Sequence, residues 1–72
     1  MPTFLPHAQK RMRERNITED EVLRALNHRT GPPTAGDNGR HVVFGYGRGA
    51  RILKIVLTPD EEEIVSVMAL DE

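Results

Sequence analysis

A chain of 72 residues makes one domain with a marginal core, because a domain this small buries only about 60% of its unfolded surface. It has no cysteine, which excludes disulfides and any cysteine-based zinc site, and no apolar run long enough for a membrane span. The net charge of −1 hides a division, with ten basic and five acidic residues up to Lys54 and six acidic and no basic residues after it. The basic part suits an anionic partner, but the chain lacks the overall positive excess of an indiscriminate nucleic-acid binder.

Pro6 suits the first position of a helix, where its missing N–H is not needed. A first helix is predicted over residues 6–15, with Ala8 and Met12 as its apolar stripe. Asn16 is its stop, since Asn tolerates the left-handed conformation. Thr18 is the N-cap of a second helix, and Glu21 completes a capping box. Ile17 and Val22 form a hydrophobic staple across that start, and Glu19 and Asp20 favour its positive end. Val22, Leu23, Ala25 and Leu26 supply its buried face, and it ends near His28 or Arg29. Residues 31–39, with Pro32-Pro33 and Asp37-Asn38-Gly39, read as a loop. Strands follow at 40–46, 51–57 and 63–70, joined by turns at 47–50 and 58–61. The predicted fold is a single α+β domain spanning 1–72, two N-terminal helices packed on a three-stranded antiparallel meander.

Two helices cover only one face of such a sheet. In the middle strand Leu53, Ile55 and Leu57 point one way, and Ile52, Lys54 and Val56 the other. The open face would carry Lys54 among apolar neighbours such as Ile52, Val56 and Val43, with either Val65 and Val67 or Ser66 beside it. Such a face suits a partner protein or a second copy of the chain.

His7, Arg11 and Arg15 recur at four-residue spacing, which places an imidazole and two guanidiniums on one slowly drifting helical stripe. Such a stripe can hold a phosphate by charge-assisted hydrogen bonds and supply a proton-transfer group. The plainer reading is a solvated helix face whose arginines pair with Glu14, Glu19 or an acid of the tail. Lys54, alone in the run from Ile52 to Leu57, is either a positioned cation or a charge that deters aggregation. Arg40 and His41 offer further phosphate contacts and Tyr46 an aromatic face, although an ordinary strand end explains them as well. The glycines around Tyr46 read as hairpin chemistry, because no helix follows as a dinucleotide loop requires. His7, His28 and His41 lack metal-ligand spacing, so neither metal nor cofactor is expected. No basic-then-apolar signal pattern opens the chain, and the reading expects a cytoplasmic protein.

The pattern from His7-Ala8 through Arg11-Met12, Arg15, Ile17-Thr18 and Glu21-Val22, followed by the strands around Lys54 and Ser66, resembles the domain-of-unknown-function 4258 family of small bacterial proteins. That family is similar to RelE/ParE-type and BrnT-type toxins, which combine helices with a compact antiparallel sheet. Several related groups are metal-independent ribonucleases held in check by an antitoxin. The resemblance implies a RelE-like fold, RNA as substrate, an antitoxin protein as partner, and His7, Arg11, Arg15 and Lys54 as the catalytic site. His7 would be acid or base, and the three cations would stabilise the phosphorane. The predicted third strand is not followed by the C-terminal helix in which many RelE-like toxins carry late functional groups. The competing expectations are a non-catalytic module that binds protein or nucleic acid through the open sheet face, and a remnant with no anion site.

Overall fold

Pro6 fixes the start of the fold. Leu5 precedes Pro6 and is therefore held extended, at φ −72° and ψ 157°. The computed structural model describes residues 2–70, and in it Thr3–Phe4 form a short strand, β1. Thr3 lies opposite Glu63 and Phe4 opposite Ile64, in parallel. The Thr3 N–H donates to the Glu62 carbonyl at 2.8 Å and the Leu5 N–H to the Ile64 carbonyl at 3.1 Å. Phe4 enters the core.

Helix α1 (Pro6–Glu14) buries Ala8 and Met12 and has Arg15 as its C-cap. Asn16 adopts φ 55°. The Ile17 N–H donates to the Met12 carbonyl at 2.9 Å and the Asn16 N–H to the Arg13 carbonyl at 3.4 Å. This pair closes the helix as a Schellman motif. Helix α2 (Glu19–Asn27) starts where expected, with the Thr18 hydroxyl accepting from the Glu21 N–H at 3.2 Å. Only that half of the capping box forms, because the Glu21 carboxylate turns inward. The helix buries Glu21, Val22 and Ala25, while Leu23 and Leu26 are partly buried at the edge of the core.

After α2 the chain returns along the sheet. Thr34–Ala35 (β2) pairs antiparallel with His41–Tyr46 (β3), which pairs with Ile52–Leu57 (β4), which pairs with Glu63–Ala69 (β5). The sheet has five strands in the order β1-β5-β4-β3-β2 and is mixed. This corrects the expected three-stranded antiparallel meander, and the RelE-like description with it; the α+β class stands. The two added strands have two residues each, too short for an alternating pattern to reveal. Asp71 and Glu72, which the acidic tail includes, lie outside the described residues.

Helix α1 packs on β5, and α2 packs on β3 and β4, so both helices cover the same face. Val43, expected on the open face, is instead fully buried there with Leu53, Ile55, Leu57, Ile64 and Val67, because it lies opposite Ile55. A Cβ built on Gly45 would lie 2.0 Å from the Ala25 carbonyl oxygen, so only glycine lets α2 approach β3 this closely. Among the described residues no helix is long and apolar enough to cross a membrane.

Candidate functional site

The uncovered face of the sheet is a cleft of about 550 Å³. Strand register builds its floor. Lys54 sits between Phe44 on β3 and Met68 on β5, and Val56 between Val42 and Ser66. Because Leu57 faces Ile64 while Val56 faces Ser66, Val65 is the extra residue of a β-bulge. The bulge settles which set faces the cleft: Val67 goes to the core, and both Val65 and Ser66 line the open side. Gly36, Asp37 and Arg40 line it from the β2–β3 hairpin, and His7 lines it from the first turn of α1.

The structure therefore brings His7 and Lys54 to one cleft, adds Arg40, and leaves Arg11 and Arg15 outside its lining. The geometry of α1 explains the separation. Each four-residue step drifts about 40° around a helix of 3.6 residues per turn, and Arg15 already lies past the last turn. The Arg11 and Arg15 guanidiniums each stand 3.7 Å from the same Glu14 carboxylate oxygen. Among the described residues no acid lies within ion-pair distance of His7, Arg40 or Lys54. Lys54 is half-buried among apolar side chains, where a cation is less screened than on an open surface. Arg40 was legible only as a strand-end base, since nothing local says that the hairpin turns it onto the open face.

Two further polar clusters are structural. The Glu21 side chain is buried and receives the Arg51 Nε–H at 2.6 Å and a second Arg51 N–H at 2.7 Å. The Arg48 backbone N–H adds a third bond at 3.1 Å. The Arg51 hydrogen bonds hold the Glu21 carboxyl below the usual glutamate range, against the opposing effect of burial. At the β4–β5 turn, Arg29 donates to both Glu61 oxygens, at 2.9 and 3.4 Å, and lowers its pKa. His41 Nδ1 is 3.7 Å from Glu61, within ion-pair range but too long for a hydrogen bond. Among the described residues no group of three or more His, Cys, Asp or Glu side chains is placed to hold a metal ion.

The model of the family described as a domain of unknown function (DUF4258) matches residues 4–70. The chain belongs to that family. The matched region runs from β1 through β5 and so includes every residue of the cleft. No curated protein and no solved structure matches the chain.

Proposed function

We propose that the protein acts on RNA in the open-face cleft, as a toxin-like, metal-independent endoribonuclease. The observation that carries this reading is the convergence of His7, Arg40 and Lys54, from three separate stretches of sequence, on one cleft with an apolar floor. Val42, Phe44 and Val56 offer surface to a base, and Lys54 and Arg40 offer charge to a phosphate. In the reaction, the ribose 2′-oxygen attacks the adjacent phosphorus, the bond to the 5′-oxygen breaks, and a 2′,3′-cyclic phosphate and a 5′-hydroxyl result. His7 takes the 2′-hydroxyl proton, water protonates the departing 5′-oxygen, and Lys54 and Arg40 stabilise the charge that develops on the phosphorane oxygens. Arg11 and Arg15, outside the cleft, are given no part in the step.

A second reading is a non-catalytic module whose open face docks a partner such as an antitoxin. The partly exposed Val42, Phe44 and Val56, over which no helix among the described residues packs, favour it.

The test is RNA incubated with wild type, His7→Ala and Lys54→Ala, with cleavage and binding read separately. His7→Ala should reduce cleavage by roughly 10²–10⁴-fold and leave affinity nearly intact. Lys54→Ala should weaken both, and EDTA should change neither. Binding without cleavage by the wild type would transfer the assignment to the module. Neither at low salt, where phosphate contacts are strongest, would reject RNA as the ligand.

A further inference from the structure

The open face of the sheet has two halves, and the basic cleft occupies only one. On the other half the large apolar side chains that stand exposed among the described residues come together: Tyr46 at 46%, Met68 at 40% and Leu70 at 50%. Register explains the convergence. Val43 and Gly45 turn toward the helices, so Tyr46 turns away from them, opposite the half-buried Ile52 of β4. Met68 lies opposite Lys54. The Leu70 N–H donates to the Ile52 carbonyl at 3.0 Å, which carries the ladder past the end of β5. Alternation from the buried Ala69 turns Leu70 to the open side. Tyr46, Ile52 and Leu70 thus form one row across three strands, with Met68 in the next row. None of the four lines the cleft.

Lys54 decides what can cover this row. It stands about 7 Å along β4 from Ile52, between Phe44 and Met68. Asp37, the acid of the cleft, belongs to the β2–β3 hairpin, and among the described residues no carboxylate lies within ion-pair distance of Lys54. A purely apolar occupant would strip water from an unpaired ammonium, which is unfavourable unless the occupant brings the opposite charge. A second copy laid face to face would set Lys54 against Lys54, with His7 and Arg40 of both copies beside them. RNA suits the cleft better than the row, which holds one aromatic ring and no basic side chain.

The shape of the face points the same way as its charge. Three strands present a width of about 10 Å, which is the diameter of one α-helix. The opposite face of this sheet is already covered by helices, with α2 over β3 and β4. On a helix, residues four apart rise about 6 Å, close to the step from Ile52 to Lys54. We infer that the row takes one amphipathic helix of a partner protein, with an apolar stripe on Tyr46, Ile52, Met68 and Leu70 and an acidic residue one turn along it on Lys54, which rests on the reading of the open face as a docking surface and narrows its occupant.

Tyr46 is the single tyrosine of a chain with no tryptophan, so its emission reads the row. The probes are three alanine-rich peptides of about 18 residues, long enough to form helix alone, without aromatic residues. Each carries one leucine stripe, and the stripe position four residues after its central leucine is Glu, Gln or Lys. Acrylamide quenching of Tyr46 is followed against peptide concentration. The Glu peptide should protect Tyr46 saturably, and the Lys peptide should need at least about tenfold more. Lys54→Glu should reverse that order, which a purely apolar contact would not do. Met68→Asp and Leu70→Asp, both at exposed positions, should keep the melting temperature and each raise half-saturation by about tenfold or more. His7→Ala should leave the peptide curve unchanged, so that loss of RNA cleavage and loss of docking are read apart. No saturable protection by any of the peptides, or an unreversed order in Lys54→Glu, would overturn the inference. Equal half-saturation by the Glu and Lys peptides would overturn it and leave the open face a docking surface of another kind. Protection by a tetraribonucleotide at lower concentration than by the Glu peptide would assign the row to RNA, and protection that grows with the concentration of the protein alone would assign it to a second copy; either would overturn it.

Discussion

The two faces of the central sheet are made from alternating residues of the same strands, yet they do opposite things. In β4, Leu53, Ile55 and Leu57 are fully buried under the helices, while Ile52, Lys54 and Val56 remain partly exposed on the open side. Neighbours in sequence therefore separate the packed core from the open cleft. A substitution on the covered face disturbs close packing. One on the open face changes what the cleft can hold.

The largest expected effect is Gly45→Ala. The added Cβ meets backbone atoms of Ala25, which cannot swing aside as a side chain would. We predict a loss of at least about 3 kcal/mol, measured by denaturant unfolding. A variant of wild-type stability would show that α2 is less tightly seated on β3 than the structure has it.

Glu21→Gln comes next. It removes the charge from a buried carboxylate that binds Arg51 bidentately, and should cost about 3 kcal/mol. The Arg51 side chain, itself 25% exposed, keeps some access to water, which holds the cost to the lower part of the range for broken buried pairs. The wild type should also lose stability in acid. The folded pKa of Glu21 lies below its unfolded value, so the contribution is complete well above about pH 4.3, the unfolded glutamate value. It is lost as the pH falls through the lower folded one. Glu21→Gln should flatten that part of the stability profile, and an unchanged profile would reject the pair as its source.

Lys54→Ala sharpens the contrast within β4. Its stability should stay within about 0.5 kcal/mol of wild type, whereas Leu53→Ala, one residue away, should lose about 2–5 kcal/mol. Comparable losses at both positions would mean that the open face is as tightly packed as the covered one. The smallest effect belongs to Glu14→Ala. Its ion pairs with Arg11 and Arg15 are 3.7 Å long and Glu14 is about half exposed, so thermal unfolding should shift by less than about 1 kcal/mol.

How much of this was legible in the sequence follows the range of each signal. The start of α2 depends on Ile17, Thr18 and Val22, all within one turn, and could be read directly. The stop at Asn16 was equally local. The partner of Glu21 was not legible, because Arg51 lies thirty residues away and the capping-box pattern already gave Glu21 a local task. The four-residue spacing of His7, Arg11 and Arg15 was real, but it says nothing about where the helix sits on the sheet. Docking on β5 puts His7 on the cleft and leaves Arg11 and Arg15 to Glu14.

The pairing of β1 with β5 also constrains when the protein can fold. Thr3 and Phe4 are made about sixty residues before their partners Glu63 and Ile64. While the chain is being synthesised, Phe4 has no strand to lie against and α1 has no β5 to cover, although α2, β3 and β4 can already associate. The native core closes only when β5 appears, across a loop of about sixty residues. Chains truncated after residue 60 should show no amide protection in α1 by hydrogen exchange, and protection there would mean that α1 docks before β5 exists. Folding of this domain during synthesis then completes only with β5, and the segment from β1 to α1 waits uncovered until that strand is made.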